Sequence, residues 1–580
     1  MILGIYHPAR GVGHDTGVAL VSRDGRIVAA LSEERLSRVK MDGGFPFRAL
    51  EELQRMTGIT WADLDAVAVP FLSPLDQARE GARLLAASLR DPQLLAAQWA
   101  TRRGRDRFQT GMAALGAYDY LDEFKRRSAA VREADRRPAV RDWREFLHAT
   151  GLGTVPLVQV DHHLAHAASA YWLSGREDAL VLTCDGVGAL KSGIVAVGTG
   201  TDLRIVARTF YPHSPGEFWE VVTTLCGFHH MKHGGKITGL AAHGRVDAPC
   251  YAVMRDAMRA EGMTIRTDLD PVRLKAALAG ASREDIAATA QRRLTEVVVD
   301  LVRASIAATG RRHLAVAGGV FANVRMNQAI AELPEVDSLF VCPIMGDEGL
   351  GAGAALLAAG RRFGARPSRV STLYLGPEYP EAEMEAALNA HGLTAQRLDD
   401  QTLAEAVADR IVAGKVVAIA RGRMELGPRA LGHRTILYRT GDPAVNQWLN
   451  QRLHRTEFMP FAPVTLAEHA DACYVGLDKA RTSAEYMTVT FPCTDRMRAE
   501  SPAVVHIDGT ARPQLITAET DPFYYAVLKA CHARSGVPSL VNTSFNMHEE
   551  PIVASPDDAV RAFTQGHLDT LVLGPFLVDG

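Results

Sequence analysis

Between residues 155 and 188 the chain reads strand, helix, strand, glycine-rich turn, with two histidines and a carboxylate at the joints. The largely apolar run 155–160 fits a short buried strand. Asp161 is a good helix N-cap, and the alanine-rich segment behind it is a good helix former. On that helix His162 and His166 stand at i and i+4, so both imidazoles lie on one face and can grip one metal ion. Asp185 ends a second strand, 179–185, in a glycine-rich turn, where a carboxylate of an α/β protein meets a ligand. An isolated H-x-x-x-H also describes a capped surface helix with two solvated histidines. The rest of the chain has to decide between them.

The same local pattern occurs twice. Residues 2–6 are apolar and run into a glycine-containing loop, then His14 and Asp15, a strand at 18–21, a tight turn at 23–25 and a returning strand at 26–31. Residues 179–185, the loop 186–189, the strand 192–197, a Gly-Thr-Gly-Thr turn and the strand 203–208 repeat it, again with an acid in or beside the first loop. An internal duplication of this kind resembles the fold of actin, sugar kinases and the seventy-kilodalton chaperones, whose two first hairpins pinch a nucleotide's phosphates.

With 580 residues the chain is too long for one ordinary core, so two or more domains are expected. A net charge of −3 argues against a protein that coats nucleic acid or a membrane surface. The seven cysteines are scattered, odd in number and free of any C-x-x-C, as reduced core thiols of a cytosolic protein would be. The chain starts directly with a strand, and no run reaches the roughly 18 apolar residues of a membrane span. A cytoplasmic protein is expected. A helical insert at about 72–150 carries arginine clusters at 102–107, 126–127 and 136–137, interspersed with acids and leucines as on a solvated helix face.

Further along, the dense glycines of 227–244 mark a loop close to a ligand, with Lys236 able to meet a phosphate. His229, His230 and His233 lack a nearby carboxylate or cysteine, so a mobile polar loop suits them better than a second metal cluster. A buried strand at 314–317 turns at Gly318 and Gly319 into a helix near Asn323, a geometry whose backbone amides suit a phosphate or ribose. Asp347, in another glycine-rich turn, can be the fourth ligand beside His162, His166 and Asp185. Two imidazoles and two carboxylates suit a six-coordinate divalent ion such as iron(II) or manganese. After a linker at 361–369 a new α/β pattern begins. Arg421, Arg423, Arg429 and Arg434 are interleaved with glycines around a strand end, as phosphate or carboxylate recognition requires. The segments 450–463, 506–512 and 541–546 add further anion-binding candidates.

These residues together carry a family resemblance that runs essentially from end to end. His14-Asp15, the run from Ser32 to Arg35 with Arg38 and Lys40, His162-His163 with His166, Asp185-Gly186, Gly235-Lys236, Gly318-Gly319 and Gly346-Asp347 match in the first half. The runs from Arg423 to Gly432, Pro460 to Pro463 and Asn542 to Val553 match in the second. In order and spacing the chain resembles the NodU/CmcH-type O-carbamoyltransferases. The resemblance implies an actin-like (ribonuclease-H-like) domain at 1–365, similar to the tRNA threonylcarbamoyladenosine synthase catalytic subunit, and a YrdC-like α/β domain at 371–580. It implies that the second domain makes carbamoyl adenylate from carbamoyl phosphate and ATP with magnesium. The first then transfers the carbamoyl group to an acceptor hydroxyl over the metal, and AMP, pyrophosphate and phosphate are released.

On the same resemblance, His14 is the general base, and Gly318, Gly319, Asn323, Lys40 and Lys236 hold the nucleotide. Arg429, Arg512, Asn542 and Ser544 match family positions for carbamoyl phosphate. The sequence departs from the family at 454–459, which is one residue short and lacks a lysine and an arginine; His454 or Arg455 would substitute. The expected acceptor is a small molecule such as an antibiotic precursor, with no nucleic-acid or membrane partner and a monomeric or homodimeric state. A tRNA-modifying threonylcarbamoyl transferase and a nucleotide-gated binding module are the alternatives.

Overall fold

Asp161 caps the helix that its sequence predicts: its carboxylate accepts the Leu164 N–H at 3.1 Å, and the helix runs His162–Ser174. The structure, a computed structural model, describes every residue except 9–13, 103–106, 118–139, 141 and 456–458. Most of the insert's arginine clusters and part of the departing 454–459 segment therefore lie outside the described residues. The chain divides into two compact units. The first comprises Met1–Gly13, Ala19–Arg26 and Trp61–Arg369, and the second His14–Val18, Ile27–Thr60 and Val370–Gly580.

Two five-stranded sheets share one topology. Strands Ile2–Tyr6 (β1), Gly17–Val21 (β2), Ile27–Ser32 (β3), Ala66–Val69 (β4) and Leu157–Gln159 (β5) lie in the order β3-β2-β1-β4-β5. Strands Asp178–Gly188 (β6), Lys191–Thr199 (β7) and Asp202–Phe210 (β8) precede a ribbon of Met258–Glu261 (β9) and Thr264–Thr267 (β10). His313–Ala317 (β11) and Ser338–Val341 (β12) then complete a second sheet, ordered β8-β7-β6-β11-β12. Each sheet thus places its third, second, first, fourth and fifth strands side by side. That repeat is the duplication implied by the hairpins. The described parts of the insert are helical, as expected, at Pro74–Ser88, Pro92–Arg102, Arg107–Ala114 and Trp143–Ala149.

Each sheet's last strand leads to a helix, and the two helices pack together. His162–Ser174 follows β5, and Leu350–Phe363 follows β12 after a turn at Asp347–Gly349. Both are almost wholly buried, which explains their alanine and glycine content: there is no room for long side chains. A Cβ at Gly353 would lie 2.0 Å from the Ala165 carbonyl oxygen, and one at Gly4 would lie 1.9 Å from the Gly351 oxygen. Helix meets helix, and helix meets β1, through bare backbone.

The second unit contains a ribbon of Phe491–Pro492 (β17) and Thr510–Ala511 (β18) and one large mixed sheet. The sheet is built from Gln396–Arg397 (β13), Val417–Ala420 (β14), Arg434–Arg439 (β15), Ala462–Leu466 (β16), Gln514–Ile516 (β19), Ser539–Ser544 (β20), Thr570–Leu573 (β21) and Phe576–Asp579 (β22). Its order is β13-β22-β21-β14-β15-β20-β16-β19. Helices Asp400–Val412 and Pro522–Ser535 pack on it through Leu403, Val407, Ile411, Val527 and Leu528. Residues 27–60 belong to this unit, and Arg38 there donates to the carbonyls of Pro551 and Ile552, at 2.8 and 2.7 Å, and pairs with Asp558 at 3.1 Å. All seven cysteines are free and buried, and no helix among the described residues is long and apolar enough to cross a membrane.

The helix contact yields a stability test. Gly353→Ala should cost about 1–3 kcal/mol, because the rigid backbone opposite cannot give way. Gly81→Ala, on an open face of the helix Pro74–Ser88, should instead gain up to about 1 kcal/mol. Denaturant midpoints measure both.

Candidate functional site

The helix His162–Ser174 presents His162 and His166 to two carboxylates delivered by the second sheet. Asp185 stands where β6 leaves its regular register with β7, between Cys184 and Gly188, and Asp347 opens the short turn after β12. The four ligand atoms all lie within 4.8 Å of one another. His166 Nε2 is 3.0 Å from Asp185 Oδ2 and 3.3 Å from Asp347 Oδ1, and His162 Nε2 is 3.6 and 3.8 Å from the same two oxygens. The sequence-derived set of four is therefore assembled.

Neighbouring groups aim each ligand. The Gly186 N–H donates to Asp185 Oδ1 at 2.8 Å, which leaves Oδ2 toward the histidines. Tyr6, at the end of β1, donates its hydroxyl to Asp347 Oδ2 at 2.5 Å. Gly188 has to be glycine, since a Cβ there would lie 2.1 Å from His162 Cδ2. Gly318 and Gly319 adjoin the same place: a Cβ at Gly319 would be 3.1 Å from Asp185 Oδ1, and Gly318 has φ +100°. Burial alone would lower His166, but its contacts with Asp185 and Asp347 outweigh that and raise it to about 9. Burial also disfavours the Asp185 carboxylate, yet both histidines hold it well below its usual range. His163 points elsewhere, between Thr183 Oγ1 and the Lys191 carbonyl, and burial lowers it to about 3, so it stays neutral.

A divalent cation fits these residues. His162 Nε2 is buried without a hydrogen-bond partner, and two carboxylates converge on it in a poorly solvated place. The nitrogen and oxygen donor set suits a first-row divalent ion better than a thiolate-preferring one. Among the described residues no second cluster of this kind forms; His229 stacks on His230 and meets His233 edge to face.

The other nucleotide candidates are scattered. Asn323 caps the helix Val324–Ala331 through Met326 N–H and exchanges two hydrogen bonds with Gln291. Lys236 is buried, its ammonium 5.9 Å from the Phe228 ring centre. Lys40 and His14 belong to the second unit. His14 Nδ1 lies 2.6 Å from Asp15 Oδ2, and Asp15 adopts φ +63°.

Within the second unit the arginines sort by their partners. Arg434 is buried and donates to the carbonyls of Arg421, Gly422, His433 and Ala554, and Arg423 donates to those of Val28, Leu375 and Gly376. Both hold backbone. Burial, and next the neighbouring Arg429 cation, keep Arg512 well below the usual guanidinium range. Two cations side by side are complementary to an anion. Arg455 reaches Thr543 Oγ1 at 3.0 Å, the Ser544 carbonyl at 2.6 Å and Asn546 Oδ1 at 3.0 Å, so it ties the departing segment to the end of β20. His454 is exposed with φ +55°. Asn542 is fully engaged: its amide donates to the Ala430 carbonyl and Gln514 Oε1 and accepts from Thr435, bracing the loop that carries Arg429.

Tyr6 and Gly188 join the site without a motif of their own in the sequence. A tyrosine ending the first apolar strand, and a glycine three residues beyond a candidate ligand, were the available signals.

The families described as Carbamoyltransferase N-terminus and Carbamoyltransferase C-terminus match residues 2–356 and 408–579. The nodulation protein NolNO of Sinorhizobium fredii is 31% identical over 97% of this chain and 79% of its own length. Nodulation protein NolO of Bradyrhizobium diazoefficiens is 34% identical over 72% of this chain and 78% of its own. Among solved structures, component A of the (R)-2-hydroxyglutaryl-CoA dehydratase of Acidaminococcus fermentans matches at 14% identity with a TM-score of 0.33, over 62% of this chain and 98% of that one. The two matched halves define an enzyme that transfers carbamoyl groups. The chain belongs to the carbamoyltransferase family.

The metal reading predicts a pH dependence. Ligation needs a neutral His166, so a divalent ion has to displace a proton held up to about 9. Manganese(II) affinity should therefore rise about tenfold per unit between roughly pH 6.5 and 8.5. The metal-free protein should behave oppositely. A raised histidine stabilises fully below its unfolded value of about 6.5, and that contribution is lost as pH rises through about 9. Titrations with manganese(II) and melting curves of the apoprotein check the two signs; a flat binding profile would show that no proton is displaced.

Proposed function

We propose that this carbamoyltransferase is ATP-dependent: carbamoyl phosphate, water and ATP give carbamoyl adenylate, pyrophosphate and phosphate, and the carbamoyl group of the adenylate passes to a hydroxyl of a small-molecule acceptor. The observation that carries the proposal is the convergence of His162, His166, Asp185 and Asp347 in a chain whose family match covers both halves. The charge of the second unit supports it, because Arg429 beside Arg512 suits the phosphate of a small anionic donor.

The roles follow from the groups. Arg429 and Arg512 bind and orient the donor phosphate, with Ser544 and Arg455 at the strand end beside Asn546. Asn542 and Gln514 keep the Arg429 loop in place. His162, His166, Asp185 and Asp347 hold a divalent ion, iron(II) or manganese. When bound, that ion supplies Lewis-acid charge against the phosphate of the AMP leaving group. Gly318 and Gly319 let a nucleotide approach without side-chain obstruction, and Lys236 is the cation of the same unit assigned to its phosphates. His14 takes the acceptor's hydroxyl proton: with Nδ1–H donated to Asp15, Nε2 is the basic nitrogen. The carbamate C–O bond to the acceptor forms as the bond to AMP breaks.

The test is mass spectrometry of the protein incubated with ATP, magnesium and carbamoyl phosphate, without acceptor. Carbamoyl adenylate and pyrophosphate should appear, and Arg512→Met should lower their formation on the order of 100-fold through loss of a buried charge-assisted contact. ATP cleaved only to ADP, or left intact with both ligands saturating, would sink the mechanism.

A further inference from the structure

Behind the four-residue cluster lies a buried ionic hub that the reaction scheme does not use. Lys191, the first residue of β7, has no solvent exposure at all. Its ammonium donates to Asp161 Oδ2 at 2.8 Å, to Glu80 Oε2 at 3.1 Å and to the Ala189 carbonyl at 3.1 Å. Each partner stands on a different piece of chain. Asp161 is the cap of the helix that carries His162 and His166. Glu80 sits in the helix Pro74–Ser88, where it also pairs with Arg83 and lies 3.4 Å from Arg208. Ala189 occupies the tip of the β6–β7 hairpin, beyond Asp185.

That tip is strained. The hairpin closes through Ala189 and Leu190 at φ +48° and +69°, with Gly188 paired to Lys191. Such a turn favours glycine or asparagine at both positions, and here neither residue is either one. The strain persists because the tip is held. The ammonium holds the Ala189 carbonyl, the Lys191 carbonyl faces His163 Nε2 at 2.9 Å, and Gly188 lies against the His162 ring. Three consecutive residues of the metal-binding helix, Asp161, His162 and His163, are thus each fixed by residues of one hairpin.

We propose that Lys191, anchored by Glu80, is a positioning residue of the metal centre, locking the histidine-bearing helix to the aspartate-bearing hairpin so that the ligands converge. This inference rests on reading His162, His166, Asp185 and Asp347 as a divalent-metal site. The lock sets two spacings at once, because the cap fixes where the helix starts and the tip fixes where the strand bearing Asp185 ends. Through Glu80 it also makes the insert's first helix part of the support of the metal centre. A substitution in that helix would then reach the metal without touching a ligand.

Manganese(II) binding to the full chain, read from the resonance of the free ion, tests this. Lys191→Met should raise the dissociation constant about 10–100-fold, the usual effect of removing a group that orients metal ligands. Glu80→Gln, which keeps volume and leaves Lys191 its Asp161 partner, should raise it about tenfold and covers the case in which Lys191→Met does not fold. Arg293→Met, which breaks another partly buried ion pair of the same unit with Glu296, should leave the constant unchanged and separates positioning from general destabilisation. Folded Lys191→Met or Glu80→Gln protein with a constant within about twofold of wild type would overturn the positioning role while leaving the metal reading intact. Wild-type protein that binds no manganese would instead remove the metal reading and this inference with it.

Discussion

Two carboxylates held within a few ångströms of each other, away from bulk water, are the constraint on which the first unit depends. Asp185 and Asp347 would repel each other in a low-dielectric setting unless positive charge sits between them. In the metal-free chain His166 supplies part of that charge by holding its proton, and His162 is left with a buried nitrogen and no hydrogen-bond partner. A divalent ion supplies positive charge to both carboxylates and gives His162 Nε2 a use. The cluster is therefore coherent as a ligand set.

The duplicated topology explains how such groups meet. Two sheets of the same order each end in a helix; those helices meet through bare backbone at Gly353, and the second meets β1 at Gly4. The histidines come from the helix that follows β5 in sequence, one aspartate comes from the irregular end of β6, and the other opens the turn after β12. Close backbone packing leaves little slack, so a ligand cannot drift by an ångström unless an element moves. The Lys191 hub acts on the same problem through charge where glycine acts through the absence of a side chain.

Much of this was legible in the sequence because local rules set it. Asp161 as cap, the i,i+4 histidines, the paired hairpins and the carboxylates in glycine turns all follow from periodicity and turn chemistry, and the structure brings the four ligands together. What was not legible depends on contacts distant in sequence. Residues 27–60 cluster with the second unit, and Arg38 there reaches carbonyls more than 500 positions away, which no local pattern signals. The arginines around 421–434 looked alike in sequence, yet Arg423 and Arg434 spend their donors on backbone carbonyls while Arg429 stands beside Arg512. Asn323 and Asn542 have the right residue type for a ligand contact, but their amides are drawn into caps and braces that only tertiary packing reveals.

The two sites carry opposite signs, and that difference has a chemical consequence. An arginine pair attracts a phosphate without a bound cation. A carboxylate pair repels one until a cation is bound. Anion binding at the four-residue cluster would therefore be conditional on metal, whereas at the arginine pair it would depend on the protein alone. The proposed reaction uses a phosphorylated donor and a nucleotide, and it would need both kinds of recognition. On that proposal a metal held by the four residues would supply charge opposite the leaving group, while the arginines would meet charge already present on the donor. The work would then be divided between holding an anion and stabilising one as it forms.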